Sequence, residues 1–316
     1  MLQGFIRRFK PFYALYNLFK KKELDHIESQ YKKRGISKRY YSRISNSDFK
    51  DQEEVDLPWL DQQDSRVALP KSEAFNTLQP RIQDELLKWS DDGYVILDKY
   101  FSGDVADAAN KDIDLLLDSK KVDFKYRNKI MFAIHESETI RKMGNDPQLM
   151  QVLNLLLGKD VQLFQSINFL SGSEQKSHSD SIHMTTFPLG YLIAVWIALE
   201  DINLDNGPLH YYGGSHKMKY IMNEDFDHGG SELLLGKTPY ANYEKKVAET
   251  IDSGGLEKQV FLAKKGDILI WHANLLHGGE MHNNPELTRK SMVFHYYAKD
   301  VICYHEITER PTLMKS

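Results

Sequence analysis

The sequence predicts an α+β fold in which a mainly antiparallel β-sandwich or barrel is backed by helices. Helical apolar periodicity is concentrated before residue 158, and short runs rich in aromatic and β-branched residues follow it, separated by Gly, Asn and Pro turns. Helices followed by a run of strands are typical of this class and disfavour parallel βαβ winding. With 316 residues, 41 % hydrophobic and 11 % aromatic, the chain can bury one core with an appendage, which excludes wholesale disorder.

The appendage is predicted at the amino-terminal end, over residues 1–75. Residues 1–43 hold 12 Lys or Arg against 3 Asp or Glu, so residues 44–316 hold 29 against 42, and a basic arm precedes an acidic body. Apolar residues spaced by three and four in this arm predict an amphipathic helix that bends at Pro11. The apolar stripe consists of Leu2, Phe5, Ile6, Phe9, Phe12, Tyr13, Tyr16 and Phe19.

Three partners remain open for this basic amphipathic helix. It can pack on the protein's own core, contact a second subunit in a homodimer through residues 1–22, or lie on an anionic membrane surface. After it, the acidic, Pro-containing residues 51–70 predict an extended strap anchored by Trp59 and Leu60. We place the boundary to the main domain, residues 76–316, near residue 75.

The main domain begins with helices and continues with strands. Helical periodicity predicts helices around Leu78–Trp89, Val105–Leu117 and Pro147–Leu157, the last ending at Gly158. The predicted strands are Val161–Leu170, Tyr191–Leu199, Gln259–Leu262, Asp267–Trp271 and Ser291–Tyr297. Residues 217–257 are polar and glycine-containing without a strong period, which predicts a lid loop inserted between strands.

Composition argues against several function classes. The net charge of −4 argues against a globally basic nucleic-acid binder, and the lone Cys303 excludes an internal disulfide framework or a Cys-based zinc site. No apolar run approaches the roughly 18 residues of a membrane span, so we expect a cytoplasmic protein whose arm could make peripheral membrane contact. Gly236-Lys237-Thr238 lacks the earlier glycine that a phosphate-binding loop requires, and no G-x-S-x-G or G-x-G-x-x-G pattern occurs.

A histidine and a carboxylate spaced two apart are the first candidate metal ligands. His178-Ser179-Asp180 places both side chains on one face of a strand, where they can hold one cation. With 12 His and 45 Asp or Glu in 316 residues, chance yields roughly 1.7 such pairs. The other pair, His26-Ile27-Glu28, lies in the charged arm, so the first pair gains weight only from its context.

That context is a second histidine and an arginine far downstream. His277 leaves an apolar run before Gly278, and Arg289 begins the last predicted strand twelve residues later. Two imidazoles and one carboxylate leave three adjacent positions on an octahedral metal, which is the arrangement of non-haem Fe(II) oxygenases. A chelating 2-oxoacid can take two positions and O2 the third, and a guanidinium suits the far carboxylate of 2-oxoglutarate. His272 competes for the third ligand position, but the spacing to Arg289 favours His277 and leaves His272 as a packing histidine.

The chain resembles the phytanoyl-CoA dioxygenase family, which includes ectoine hydroxylase, in three stretches: HSD, VWIALEDINLDNGPLHYYGGSHK and KKGDILIWHANLLHGGEMHNNPELTRKS. The similarity runs from about Asp92 to Tyr297. The resemblance implies a double-stranded β-helix, a jelly-roll or cupin-like core. It also implies Fe(II) held by His178, Asp180 and His277.

The resemblance further implies a co-substrate pocket. Arg289 would anchor 2-oxoglutarate, and Trp196, in the family's W-x-A-x-x-D stretch, would help line the pocket. Gln165 and Asn168 match positions near the co-substrate in ectoine hydroxylase, and Lys129 corresponds to a co-substrate lysine of phytanoyl-CoA dioxygenase.

Two positions depart from the family pattern. Gly279 stands where the family usually has Ser, so one hydroxyl contact to the co-substrate is missing, and Gly213-Gly214-Ser215-His216 replaces P-G-S-H. Other polar residues keep two interpretations. His183, Thr185 and Thr186 either line the substrate side or belong to a satisfied turn. His210, His216 and His295 are interpreted as structural histidines.

The predicted function is an Fe(II)- and 2-oxoglutarate-dependent dioxygenase that hydroxylates an unactivated carbon of a small or lipid- or sugar-linked substrate, with release of succinate and CO2. One alternative is a non-catalytic β-helix binding or sensor protein, which would tolerate loss of Asp180. Another is a different divalent metal, such as Zn or Mn, in the same ligands for hydrolysis. No nucleic-acid partner is predicted.

Overall fold

A long antiparallel sheet carries most of the buried strands. The computed structural model describes residues 8–50, 52, 56–125 and 128–314. The strands, numbered along the chain, are β1 Tyr94–Leu97, β2 Phe124–Lys125, β3 Lys129–Met131, β4 Val161–Phe169, β5 Thr185–Phe187, β6 Leu192–Ala198, β7 Leu209–Tyr211, β8 Gln259–Phe261, β9 Ile268–His272, β10 His277–Gly279, β11 Ser291–Ala298, β12 Ile302–His305 and β13 Arg310–Pro311. In the described residues, seven of them form one sheet in the order β1-β9-β6-β11-β4-β3-β2.

Two smaller sheets accompany the long one, in the orders β10-β7-β8 and β13-β12-β5. Every strand pair among the described residues is antiparallel. The predicted antiparallel architecture backed by helices is therefore confirmed. The five predicted strands all form, with ends that differ from the prediction by no more than one residue.

Strand β6 shows how the long sheet divides the core. Ile193, Val195 and Ile197 face the helices, whereas Ala194, Trp196 and Ala198 face the interior between the sheets. Because successive side chains of a strand point to opposite faces, a strand covered on both sides reads as a continuous apolar run. This alternation determines which residues of the long sheet reach the interior.

Helices cover the outer face of the long sheet, and several of them precede its first strand in the chain. They are α1 Lys10–Phe19, α2 Asp25–Lys33, α3 Trp59–Gln62, α4 Ser65–Ala68, α5 Glu73–Asn76, α6 Pro80–Leu86, α7 Trp89–Asp92, α8 Gly103–Asp118, α9 Glu138–Gly144, α10 Pro147–Leu157 and α11 Pro239–Gly254. The bounds of α10 agree with the prediction, and Gly158 ends it with a positive φ of 68°. The predicted helix 78–89 is divided into α6 and α7. No helix in the described ranges is long and apolar enough to cross a membrane.

The amino-terminal arm differs from its prediction at Pro11. Pro11 lies in the first turn of α1 and begins the helix instead of bending it, because a first-turn residue needs no intrahelical N–H bond. Leu2, Phe5 and Ile6 lie outside the described residues. The part of the arm after α1 packs on the body, since Leu24, Ile27, Tyr31, Ile44 and Phe49 form one cluster with Phe187, Ile302 and Tyr304.

The strap over residues 51–70 is helical where an extended chain was predicted. Residues 51 and 53–55 lie outside the described part, and α3 and α4 occupy half of the rest. Trp59 donates its indole N–H to the carbonyl of Leu155 at 2.7 Å, and Leu60 is buried in the main core, so both predicted anchors contact the body. The boundary near residue 75 stays a prediction.

Residues 217–257 also contain more structure than the predicted loop. The 16-residue helix α11 begins with Pro239 and ends before Gly255, which has a φ of 58°. Tyr243 and Val247 are buried on its inner face. The sequence pattern does not indicate this helix, because only a narrow apolar stripe marks it among charged residues.

Candidate metal centre

Two distant chain segments meet at the predicted metal ligands. His178 and His277 form an isolated antiparallel bridge, in which each backbone N–H donates to the other's carbonyl at 2.9 Å. Asp180 follows two residues after His178, at the start of a short 3-10 turn. The candidate ligand atoms of these three residues lie within 4.8 Å of one another, and all three residues are buried. The structure thus brings together the three ligands that the resemblance implied.

Backbone carbonyls orient both histidine rings. Nδ1 of His178 lies 2.9 Å from the carbonyl oxygen of Lys176, and Nδ1 of His277 lies 2.9 Å from that of Leu275. A carbonyl only accepts, so Nδ1 donates in each ring and Nε2 keeps its lone pair. Both Nε2 atoms are therefore the nitrogens available to a metal.

Two side chains orient the carboxylate. Trp271 donates its indole N–H to Oδ2 of Asp180 at 2.8 Å, and Nε2 of His295 lies 3.5 Å from the same oxygen. Oδ1 lies 3.7 Å from Nε2 of His277 and 4.0 Å from Nε2 of His178. One carboxylate oxygen is thus held by the protein, while the other faces the two imidazoles.

Electrostatics favour the protonation states that metal ligands require. Burial lowers the pKa of His178 well below its usual value and also lowers that of His277, so both rings are neutral. Burial alone would raise the pKa of Asp180, but its interactions with the imidazoles of His277 and His295 hold it below its usual value. Two neutral imidazoles and one ionised carboxylate form a donor set that fits a divalent cation such as Fe(II).

Arg289 places a guanidinium in the same interior. Its side chain is buried, and Nη1 donates to Oγ of Ser291 at 2.6 Å. The guanidinium carbon lies 5.4 Å from the ring of Phe169 and 5.8 Å from that of Trp196. Within the part of the chain that the structure describes, Nε is buried without a hydrogen-bond partner. Burial lowers the pKa to about 10, so the group stays charged at neutral pH. An unsatisfied buried cation of this shape fits a carboxylate.

A cavity of about 1450 Å³ connects these groups. Its lining includes the three candidate ligands and Arg289, together with Lys129, Gln165 and Trp196 from the predicted co-substrate pocket. Asn168 is not among the lining residues, because it lies three positions after Gln165 on β4 and points to the other face of the strand. The structure therefore brings four of the five predicted co-substrate residues to the cavity.

Three residues outside the predicted site contact the loop that carries His178 and Asp180, which we call the metal loop. Gln175 donates to the Tyr240 hydroxyl at 3.0 Å, accepts from Lys129 at 2.9 Å, and lies 3.1 Å from Nε2 of His178. The buried Tyr243 hydroxyl accepts the backbone N–H of Ser179 at 2.9 Å. Tyr240 and Tyr243 both belong to α11, so the helix inside the predicted lid segment touches the residues between and beside the metal ligands. The helical spacing of Tyr240, Tyr243 and Val247, by three and then four residues, was the available sequence signal.

The structure assigns different surroundings to His183, Thr185 and Thr186, the residues that kept two interpretations. His183 lines the cavity, where burial and the neighbouring His305 lower its pKa to about 3. Thr185 and Thr186 instead donate to the carbonyls of Ser181 and Pro188, each at 2.6 Å, as satisfied turn residues do.

His272 lies away from the metal ligands and joins the strap to the barrel. Its Nε2 is 3.3 Å from Oδ2 of Asp61, and its Nδ1 accepts the backbone N–H of Asn274 at 3.0 Å. Of the two histidines that competed for the third ligand position, the structure places His277 at the cluster.

Gly279 lies close to the segment that precedes His178, which leaves little space for a side chain. A Cβ at this position would lie 2.5 Å from Oγ of Ser173 and 3.1 Å from the backbone nitrogen of Glu174. A serine here therefore requires the Ser173 hydroxyl to rotate away and the backbone at Glu174 to shift by a few tenths of an ångström.

Comparison with known proteins identifies relatives of the chain. Residues 89–291 match the family model described as phytanoyl-CoA dioxygenase (PhyH). Among curated proteins, phytanoyl-CoA dioxygenase domain-containing protein 1 of Rattus norvegicus is 30 % identical over 127 residues, 39 % of each chain. The Bos taurus protein of the same name is 26 % identical over 176 residues, 53 % of this chain and 56 % of the relative. The chain thus spans about two fifths to just over half of the length of these relatives.

Solved structures share the fold at lower identity. The non-heme alpha ketoglutarate dependent carbocyclase SnoK from nogalamycin biosynthesis superposes with a TM-score of 0.59 at 14 % identity, covering 77 % of this chain and 95 % of SnoK. EctD from S. alaskensis, solved with 2-oxoglutarate and 5-hydroxyectoine, superposes with a TM-score of 0.57 at 20 % identity, covering 76 % and 84 %. These likenesses confirm the jelly-roll, or double-stranded β-helix, core.

Proposed function

The chain belongs to the phytanoyl-CoA dioxygenase family, and we propose on this premise that it is an Fe(II)- and 2-oxoglutarate-dependent oxygenase. The observation that carries the proposal is the meeting of two neutral imidazoles, one ionised carboxylate and one buried guanidinium on a single cavity. Two solved structures with this fold contain the co-substrate: EctD holds 2-oxoglutarate, and the epimerase SnoN holds alpha ketoglutarate. Both support the same co-substrate here.

His178, Asp180 and His277 would hold the metal, and Arg289 would bind the distal carboxylate of 2-oxoglutarate. When bound with 2-oxoglutarate and O2, Fe(II) supplies the oxidising chemistry, in which 2-oxoglutarate becomes succinate and CO2 and one oxygen atom enters a C–H bond of the substrate. Three protein ligands would leave coordination positions of the metal free for the co-substrates.

The protein's own residues orient the reactants and limit access of water. Trp196 and Phe169 flank the guanidinium and restrict its position, so that its fork faces one direction. We propose that α11 acts as the inner wall of a lid, since its Tyr240 lines the cavity and its Tyr243 supports the metal loop. Lys129, Gln165 and Trp196 would complete the co-substrate pocket.

The cavity has room for a substrate in addition to 2-oxoglutarate. Its volume of about 1450 Å³ exceeds the roughly 300–1,000 Å³ typical of small-molecule pockets. Besides the candidate metal ligands, its lining includes His183, Tyr240, His305 and Arg310, which offer polar contacts beside aromatic surface. We propose a small or lipid- or sugar-linked molecule that is hydroxylated at an unactivated carbon.

The experiment that tests this function couples product detection to co-substrate turnover. The full chain with Fe(II), 2-oxoglutarate and O2 is incubated with metabolite and lipid extracts, and we expect a compound that gains the mass of one oxygen together with succinate. Asp180→Ala should abolish both signals, while Asp252→Ala, an exposed residue of α11, should retain them. Succinate formation that is equal in Asp180→Ala protein would contradict the proposal.

A further inference from the structure

Helix α1 turns four large apolar side chains away from the body of the protein, a set that only partly coincides with the stripe predicted from the sequence. Its buried residues are Lys10 and Asn17. The exposed large apolar side chains are Phe12, Leu15, Tyr16 and Phe19, with exposed fractions of 46, 53, 53 and 81 %. At 3.6 residues per turn these four form one stripe about 100° wide, on the side opposite Lys10 and Asn17. A helix that packs on a globular core normally has the reverse orientation.

Specific polar contacts hold the helix in this orientation. The buried ammonium of Lys10 pairs with Oε1 of Glu309 at 2.5 Å, and Asn17 donates from Nδ2 to the carbonyl of Tyr41 at 3.1 Å. The backbone N–H of Lys10 donates to the carbonyl of Leu233 at 2.9 Å, which places the exposed Leu233 beside the start of the helix. Because a buried charge is costly without its partner, rotation of the stripe inward would separate Lys10 from Glu309.

Basic residues follow the stripe directly. Lys20, Lys21 and Lys22 continue the chain after Phe19, and Lys21 and Lys22 are exposed. Lys20 pairs with Glu23 at 2.7 Å, and Nζ of Lys21 lies 5.8 Å from the ring centre of Tyr41. An apolar stripe of Phe, Leu and Tyr beside clustered lysines has the chemistry of an interfacial membrane helix.

We propose that α1 docks on an anionic membrane surface, with Phe12, Leu15, Tyr16 and Phe19 in the lipid interface and Lys21 and Lys22 against anionic headgroups. A second copy of the chain is the weaker partner for two reasons. Lysine is depleted from protein–protein interfaces. A ten-residue helix also offers a face roughly 15 Å by 10 Å, far below the roughly 800 Å² per partner of a stable interface.

Helix α1 contacts a residue that also lines the cavity. The guanidinium carbon of Arg310 lies 3.3 Å from the ring centre of Tyr13 on α1, and Arg310 also lines the cavity. The segment that binds Lys10 through Glu309 therefore separates the proposed membrane surface from the substrate space. The docking inference goes beyond the oxygenase function and does not depend on it.

Vesicle sedimentation with the full chain tests the docking. We expect binding to phosphatidylcholine vesicles that contain about one quarter phosphatidylserine, weaker binding to pure phosphatidylcholine, and a decrease with added salt. Lys21→Gln with Lys22→Gln should weaken binding about thirtyfold, since each lysine near such a surface contributes about 1 kcal/mol. Phe12→Ser with Phe19→Ser should weaken it about tenfold or more.

Matched variants separate docking from a general loss of apolar or basic surface. Leu204→Ser with Leu262→Ser removes two exposed leucines elsewhere, and Lys120→Gln with Lys121→Gln removes two exposed lysines elsewhere. Both pairs should bind like the unmodified chain. Absence of binding to anionic vesicles would overturn the inference, and so would equal losses in the matched pairs. A dimer that Phe12→Ser with Phe19→Ser dissociates in analytical ultracentrifugation, without vesicle binding, would assign the surface to a second copy.

Discussion

Trp271 donates its indole N–H to Oδ2 of Asp180 at 2.8 Å, so the tryptophan determines which carboxylate oxygen faces the two ligand histidines. The donor comes from β9 and the acceptor from the loop after β4, more than ninety residues earlier. The hydrogen bond also stabilises the ionised carboxylate in a buried site. The geometry of the candidate metal centre thus depends on a residue that offers no ligand atom to it.

We expect Trp271→Phe to retain the aromatic packing and to weaken metal binding by about 10- to 100-fold, as loss of a ligand-orienting partner does. Isothermal titration with Fe(II) under anaerobic conditions measures the affinity. Trp89→Phe, which changes a buried tryptophan of α7, serves as the matched control and should leave the affinity unchanged. Unaltered affinity in Trp271→Phe protein would show that the indole does not orient Asp180.

Tyr243 supports the backbone between the metal ligands, and its hydroxyl can be removed without loss of the ring. Tyr243→Phe leaves the buried N–H of Ser179 without its acceptor, which should lower the free energy of unfolding by about 1–3 kcal/mol. Urea unfolding monitored by circular dichroism measures the change. Tyr240→Phe, whose hydroxyl accepts from the Gln175 side chain instead of the backbone, should cost less. Equal small effects of both substitutions would refute the supporting role of Tyr243.

Arg289 should bind 2-oxoglutarate through its planar fork as well as its charge. Arg289→Lys keeps the charge but loses the bidentate geometry, so we expect at least about tenfold weaker binding of 2-oxoglutarate with unchanged Fe(II) affinity. Quenching of tryptophan fluorescence by 2-oxoglutarate in the metal-loaded protein measures the affinity, since Trp196 lies 5.8 Å from the guanidinium carbon. Arg66→Lys, an exposed arginine, is the control. Wild-type affinity in Arg289→Lys protein would place the co-substrate carboxylate elsewhere.

Glu306 should make stability depend on pH near neutrality. Burial raises its pKa to about 7 from an ordinary value of 4.5, although the backbone N–H groups of Asn46 and Asn223 donate to it. Between these pH values the folded chain holds the proton and the unfolded chain releases it. This contribution to stability is therefore full below pH 4.5 and decreases by about 3 kcal/mol as the pH rises through 7.

Glu306→Gln mimics the protonated carboxyl at every pH and removes this dependence. Denaturant unfolding of both proteins from pH 4.5 to pH 8 measures it, and the variant should gain stability relative to the unmodified chain as the pH rises. Parallel curves over that range would contradict the raised pKa.

The sequence predicted the ligands because their spacing is local, and it missed their supports because those are not. His178 and Asp180 stand two apart, and His277 and Arg289 flank a turn and a strand end, so short-range patterns indicate them. Trp271 and His295 reach Asp180 only through the pairing of β9, β6 and β11, which a single strand does not reveal. Gln165 and Asn168 differ by three positions, so in a regular strand only one of them can face the cavity.

The two segments predicted to be irregular illustrate a different physical reason. The strap and the helix α11 have few apolar residues, and tertiary contacts such as Trp59 with Leu155 and Tyr243 with Ser179 stabilise them. Helical propensity alone did not indicate either one.

His178, Asp180 and His277 should bind Fe(II) together with 2-oxoglutarate. Anaerobic addition of Fe(II) to the full chain with 2-oxoglutarate tests it most directly, because the chelated complex has a visible charge-transfer absorption. We expect this band in the unmodified chain and in His272→Ala protein, and not in His178→Ala protein. Absence of the band in the unmodified chain, or an equal band in His178→Ala protein, would contradict the assignment of the metal centre.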